Sequence, residues 1–150
     1  MFTKILTCTD GSVNALKAAG EAAQLAKQTN ACILLLHVVE NPEAALTPEL
    51  SYSVPWQLEH IVTALEHEPI DKHRSILQNT EAIFCQAGVK YQPLQANGHP
   101  ATEIVNVAER EEVDLIVLGS WGFNPLKSDC LGNVADEVAL HASCSILIVR

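Results

Sequence analysis

Three glycines near the end of the chain are spaced in a way that could hold a phosphate group. Gly119, Gly122 and Gly132 fit the pattern G-x2-G-x9-G, and Asn133 follows the last of them. The first glycine comes after a short apolar run, 113–118, and the last one begins a helical pattern. Glycines let backbone N–H groups approach phosphate oxygens closely, and a helix start adds unpaired N–H groups at the positive end of its dipole. Residues 119–133 are therefore a candidate phosphate-binding loop.

An acidic residue near the start of the chain could complete such a site. Asp10 ends an apolar run, and Gly11 and Ser12 then begin a helical pattern. In a doubly wound parallel sheet, ligands bind beyond the carboxyl ends of the strands, where the strand order reverses. If the first and fourth strands are neighbours, Asp10 lies across a crevice from Gly119, and its carboxylate could accept hydrogen bonds from a ribose.

Both features also have a purely structural interpretation. An aspartate before Gly-Ser is a common turn and helix start, and a glycine loop between strand and helix can serve tight packing alone. The loop also matches neither the G-x-G-x-x-G dinucleotide fingerprint nor the Walker loop, because its spacing differs and no Gly-Lys-Ser/Thr is present.

Catalytic and metal-binding patterns are weak. Near the loop there is no Ser-His-Asp spacing and no arginine finger, so rapid catalysis is not expected. His99 is interpreted as a structural turn residue. A cluster of His60, His67 and His73 with Glu66 is interpreted as a solvated helix face, since zinc needs three or four converging ligands.

Size and charge exclude several classes of partner. The 150 residues suit one domain, 1–150, and the formal net charge of -9 disfavours binding to nucleic acid or to an anionic membrane. The apolar runs are too short to cross a bilayer and the first residues do not resemble a signal peptide, so a cytoplasmic location is expected. The five cysteines form no C-x-x-C pair and are expected to be reduced, buried residues, with only Cys130 exposed.

Hydrophobic patterning predicts alternating strands and helices. The predicted strands are 4–10, 31–39, 89–96, 113–118 and 144–149, and the predicted helices are 12–28, 57–87, 101–111 and 132–141, after an irregular excursion at 40–56. In the first helix, the expected inward residues are Val13, Leu16, Ala19, Ala23 and Ala26. Such alternation predicts an α/β fold with a single doubly wound, mostly parallel five-stranded sheet and helices on both faces.

Four segments of the chain resemble the universal stress protein family. They are Thr9-Asp10-Gly11-Ser12 after the first strand, Leu36-His37-Val38-Val39 in the second, the segment 98–104, and the segment 114–120 leading into the loop. The resemblance implies the strand order 3-2-1-4-5. It also implies a homodimer that pairs the C-terminal strand, 144–150, with its copy, because an exposed apolar edge strand readily pairs with another strand.

The resemblance also implies a ligand and its contacts. In the ATP-binding branch of the family the last glycine of the loop is followed by Ser or Thr, and Asn133 takes that place here. ATP is the expected nucleotide, with ADP or AMP as alternatives and Mg²⁺ as a possible companion. Asp129 places a negative charge inside the loop, and Lys127 partly offsets it. By resemblance, Asp10 meets the ribose; Thr9, Val38 and Leu118 border the adenine; and Gly119, Gly122, Gly132, Asn133 and Val134 border the ribose and phosphates.

The function predicted from the sequence is a stress-response or signalling module that binds an adenine nucleotide. Two alternatives stay open: a dimeric interaction protein of the same fold with no nucleotide, and a slow ATPase. A phospho-acceptor receiver domain is disfavoured, because it needs an acceptor aspartate after the third strand, where this chain has Asn97-Gly98-His99.

Overall fold

The computed structural model describes residues 1–40, 70–120 and 132–150, in which strands and helices alternate. The elements are β1 (Lys4–Cys8), α1 (Val13–Thr29), β2 (Cys32–Val39), α2 (Ile70–Ala87), β3 (Tyr91–Asn97), α3 (Pro100–Arg110), β4 (Leu115–Gly119), α4 (Asn133–His141) and β5 (Ser145–Val149). Nearly all of the predicted excursion, the first part of the predicted long helix and Gly122 lie outside these residues. None of the described helices is long and apolar enough to cross a membrane.

The five strands form one parallel sheet in the order β3-β2-β1-β4-β5, as expected. The pairing of β1 with β4 aligns Leu6 with Ile116 and Thr7 with Val117. The carboxyl ends of these two strands therefore lie side by side. The strand order reverses between them, because β2 and β3 extend to one side of β1 while β4 and β5 extend to the other.

Helices cover both faces of the sheet, each over its own apolar layer. One layer joins α1 and α2 to the sheet and includes Ile33, Leu35 and Phe84. The other joins α3 and α4 to the opposite face and includes Leu36, Ile104 and Val138. This double cover explains why β2 is apolar without alternation: six of its eight residues are buried.

Helix α1 packs on the sheet through alanines, and its start differs from the prediction. The buried residues are Ala15, Ala18, Ala19, Ala22, Ala23 and Ala26. The prediction that Val13 faces inward is wrong: its side chain is 70% exposed, because Val13 lies about 200° around the helix from the buried Ala15. The helix ends at Asn30, whose left-handed backbone, with φ of 57°, directs the chain into β2.

The edge strand β3 and the cysteines also depart from the prediction. β3 begins two residues later than predicted. It is mostly polar, as suits an edge strand, and it tolerates Pro93 because an edge strand needs fewer ladder hydrogen bonds. The prediction of buried cysteines is wrong for Cys85, which is exposed beside the buried Phe84, one step of about 100° away around α2. The free cysteines Cys8, Cys32 and Cys144 are half-buried, and Cys130 lies outside the described residues.

Candidate functional site

The chain leaves β1 through a turn that orients a carboxylate, which we call the acidic turn (residues 9–12). The Ser12 N–H donates to Asp10 Oδ1 over 2.8 Å, and Gly11 adopts a φ of 81°. Ser12 in turn caps α1, since its Oγ accepts a hydrogen bond from the Ala15 N–H over 3.2 Å. Asp10 is half-buried and is thus held at the carboxyl edge of the sheet by its own turn.

Thr9 anchors the acidic turn to its surroundings. Its N–H donates to the Leu36 carbonyl over 2.9 Å, and its hydroxyl lies 2.9 Å from the hydroxyl of Thr80 in α2. Thr9 is only 2% exposed, and its side chain packs towards α2. Its proposed place beside adenine stays a prediction.

The opposite face of the sheet offers an apolar surface at the same edge. Val38 and Leu118 belong to one apolar cluster, and Val134 at the start of α4 packs against that cluster. Cys8 also packs against it, because alternation along β1 turns Cys8, and not Thr9, to this face. Burial raises the pKa of the Cys8 thiol to about 12, with a further contribution from the charge of Asp10, so the thiol is neutral at physiological pH.

Sequence reasoning missed Cys8, although a signal for it was present. The period-two alternation of a strand places Cys8 on the same face as Leu6, whereas the family pattern directed attention to Thr9.

The two ends of the candidate loop meet beside β4. The Gly132 N–H donates to the Ser120 carbonyl over 2.7 Å, and the Ser120 N–H donates to the Val149 carbonyl over 2.8 Å. These bonds hold the start of α4 next to the carboxyl end of β4.

Gly119 has a packing reason of its own. A Cβ added to it would lie 2.8 Å from the backbone carbon and oxygen of Asn14, so only glycine lets β4 approach α1 this closely. The structural interpretation of this glycine is thus correct, and it does not exclude a role at the crevice.

The start of α4 presents unpaired backbone donors. Gly132 is its N-cap and provides no side-chain hydrogen bond, and the first bond of the helix runs from the Asp136 N–H to the Gly132 carbonyl over 2.9 Å. The N–H groups of Asn133, Val134 and Ala135 have no partner within the described ranges. Helix α1 differs, since Ser12 already caps it. Unpaired donors at the positive end of a helix dipole suit an anion.

Two histidines that sequence reasoning did not connect lie beside the acidic turn. His37, which is 4% exposed, places Nδ1 2.8 Å from the Thr9 carbonyl oxygen and Nε2 2.8 Å from His73 Nδ1. The interpretation of His73 as part of a solvated face is therefore wrong. The signal available in the sequence was His37 itself. It is a polar residue in an otherwise apolar run, and a buried polar side chain needs a hydrogen-bond partner.

The remaining polar groups named from the sequence lie partly within and partly outside the described residues. Among the residues that the structure describes, no group of three or more His, Cys, Asp or Glu side chains could hold a metal ion. His99 precedes α3 and is exposed, with Nε2 3.8 Å from Glu137 Oε2. His60 and His67 lie outside the described residues.

Comparison with known proteins places this geometry in a family. The universal stress protein family description matches residues 1–150. The chain is 37% identical over 150 residues to universal stress protein YxiE of Bacillus subtilis, covering all of both chains. It is similar to the solved structure of MJ0577 from Methanocaldococcus jannaschii, with a TM-score of 0.78, 28% identity and coverage of 99% and 96% of the two chains.

A more distant solved structure shares the fold. It is the universal stress protein of Archaeoglobus fulgidus in complex with dAMP, with a TM-score of 0.67, 16% identity and coverage of 100% of this chain and 98% of that one. On the family match and the YxiE identity, the chain belongs to the universal stress protein family.

Proposed function

We propose that this protein is a stress-response module of the ATP-binding branch, which binds an adenine nucleotide between the acidic turn and the start of α4. The observation that carries the proposal is the set of N–H groups at residues 133–135, which have no partner among the described residues and lie next to the carboxyl end of β4. This helix start lies at the point where the strand order reverses, which is where ligands bind in doubly wound sheets.

Each side of the crevice suits one part of a nucleotide. The amides of α4 suit the phosphates, and the side-chain amide of Asn133, which is exposed, adds a donor where the family pattern has a hydroxyl. The Asp10 carboxylate suits the ribose hydroxyls. Val38 and Leu118 offer an apolar surface to the adenine, and Cys8 widens that surface.

The charges of the site favour a metal-bound triphosphate. Asp10 is an anion beside the proposed ribose position, and Asp136 lies in the first turn of α4. Two carboxylates near a triphosphate repel it unless a divalent cation balances the charge. We therefore include Mg²⁺ with ATP in the proposal, and we expect ADP and AMP to bind with lower affinity.

The fold relatives support an adenine nucleotide without deciding which one. The Archaeoglobus fulgidus protein, which shares this fold, was solved with dAMP. That ligand carries an adenine base, a sugar and one phosphate, which are the groups that we assign to the three surfaces above in this proposal.

We also propose a homodimer formed through β5. This strand pairs with β4 on one side and ends the sheet order on the other. Leu147 on β5 is 37% exposed. Pairing of two β5 strands across a two-fold axis would extend both sheets and cover this edge.

Thermal unfolding of nucleotide-free protein tests the binding proposal. A ligand that binds only the native state raises stability by about 2.7 kcal/mol when its free concentration is about 100 times Kd. ATP with Mg²⁺ should therefore raise the Tm, and the rise should shrink in Asn133→Ala. It should persist in the matched control Asn106→Ala, whose exposed side chain lies on α3. No rise with ATP, ADP or AMP would favour the alternative of an interaction protein with an empty crevice.

A further inference from the structure

Helix α2 contacts the acidic turn directly at two points. The hydroxyl of Thr80 lies 2.9 Å from the hydroxyl of Thr9. A Cβ built on Gly11 would lie within 4 Å of three atoms of the Ile76 side chain, the nearest at 3.1 Å. Ile76 therefore packs against the acidic turn at Gly11, which has no side chain. The turn is therefore held against α2 as well as against the sheet.

The hydroxyl contact has a defined direction. The Thr80 hydroxyl lies 3.0 Å from the Ile76 carbonyl and must donate to it, because a carbonyl has no proton. A hydroxyl has one proton, so Thr80 accepts from Thr9. The hydroxyl oxygen of Thr9 in turn accepts a hydrogen bond from the Gly11 N–H over 3.2 Å. The chain of donors thus runs from the acidic turn into the backbone of α2, and both hydroxyls are buried.

A second chain runs from the same turn through two imidazoles. His37 Nδ1 carries a proton, because the Thr9 carbonyl can only accept. His37 Nε2 and His73 Nδ1, at 2.8 Å, share one proton, since two N–H groups or two lone pairs would repel each other at that distance. His73 in α2 therefore orients the ring that holds the Thr9 carbonyl.

We propose that Thr80 and His37 are positioning residues, through which α2 holds the Asp10 carboxylate in place for the ribose. Both act through Thr9, which directly precedes Asp10 in the chain. A carboxylate held in its binding position needs no ordering when the ligand arrives, and this raises affinity. The proposal rests on the proposed function of Asp10 as a nucleotide contact.

Substitution of Thr80 separates positioning from folding. Thr80→Val removes the acceptor of the Thr9 hydroxyl at nearly constant volume, and we expect ATP affinity measured by calorimetry to fall about tenfold. Thr80→Ser keeps the hydroxyl and should restore most of that affinity. Ser75→Ala is the matched control, because its hydroxyl is exposed on the same helix and bonds the Lys72 carbonyl. ATP affinity in Thr80→Val equal to that of the wild type would overturn the positioning role alone.

The ring nitrogens of His37 provide a readout in the unsubstituted protein. In ¹⁵N spectra of the histidine rings, ATP should shift the His37 resonances along the same curve that calorimetry gives for binding. His141 is the control, since its Nδ1 also lies 2.8 Å from a carbonyl oxygen, that of Glu137, on an exposed part of α4. ATP binding that leaves the ring-nitrogen resonances of His37 unshifted would contradict the proposal. Wild-type protein that binds no adenine nucleotide would overturn both this proposal and the proposed function.

Discussion

Gly132 donates its backbone N–H to the Ser120 carbonyl oxygen over 2.7 Å, so the residue after β4 is joined directly to the residue before α4. Since Ser120 directly follows β4, this bond fixes the start of α4 beside the sheet edge. Asp10 emerges at the same edge from β1, the strand that pairs with β4. The first amides of α4, which have no partner among the described residues, and the Asp10 carboxylate are thus held by different parts of the chain at the same edge of the sheet.

Two glycine substitutions should change stability in opposite directions. Gly119→Ala would place a Cβ 2.8 Å from the Asn14 backbone, and we expect it to lower the free energy of unfolding by about 1–3 kcal/mol. Gly20→Ala in α1 meets no atom within 4 Å, and we expect it to raise that free energy by about 0.5–1 kcal/mol. Urea unfolding measures both. Equal effects from the two substitutions would contradict the proposed close approach of β4 to α1.

Asp114 should contribute stability that depends on pH. Its Oδ2 accepts hydrogen bonds from the Thr3 hydroxyl and N–H and from the Lys4 N–H, at 2.6–2.9 Å. These bonds, first of all the one from the Thr3 hydroxyl, lower the pKa of Asp114 from 3.8 to about 2. Because the folded-state pKa is the lower one, the contribution is present above the unfolded value of 3.8 and is lost as the pH falls through about 2.

The test compares Asp114→Asn with the wild type by urea unfolding across that pH range. The wild type should be the more stable near neutral pH, and the difference should shrink as the pH falls from about 4 to about 2. Glu21→Gln, at an exposed position of α1, should show no such change. A difference in the free energy of unfolding that stays constant with pH would show that the ionised form of Asp114 does not stabilise the fold.

A charge on β5 should dissociate the proposed dimer. Leu147→Lys places a cation on the free edge of the sheet, where two copies would bring like charges together. We expect light scattering to show a dimer for the wild type and a monomer for this variant. Val13→Lys is the control, since Val13 is likewise an exposed apolar residue, 70% exposed, but lies on α1 and not on β5. A wild-type monomer at micromolar concentration would remove the dimer proposal.

The order of elements and the sheet topology were predictable, for physical reasons. Continuous apolar runs such as 31–39 occur where helices cover both faces of a strand, and the structure buries most of β2 in this way. Strand order came from the family resemblance, and the pairing of β1 with both β2 and β4 confirms it. The carboxyl ends of β1 and β4 are therefore neighbours, and this is the condition for Asp10 and Gly119 to lie close together.

The contacts around the site were less predictable, because they join residues distant in sequence. Thr9 and Thr80 are 71 positions apart and His37 and His73 are 36 apart, so their contacts depend on how α2 is rotated over the sheet. Periodicity gives the buried side of a helix but not the residue that it faces. Val13 shows a related limit, since three-residue steps connect it through Leu16 to Ala19 and yet it lies on the side of α1 away from the buried alanines.

Calorimetric titration of nucleotide-free protein with ATP and Mg²⁺ is the decisive test of nucleotide binding by this chain. We expect saturable binding of one nucleotide per chain. We also expect an affinity at least about tenfold lower in Asp10→Asn, which loses the carboxylate charge but keeps an oxygen to accept the Ser12 N–H. The absence of binding heat with ATP, ADP and AMP at several temperatures, or unchanged affinity in Asp10→Asn, would contradict the proposed function.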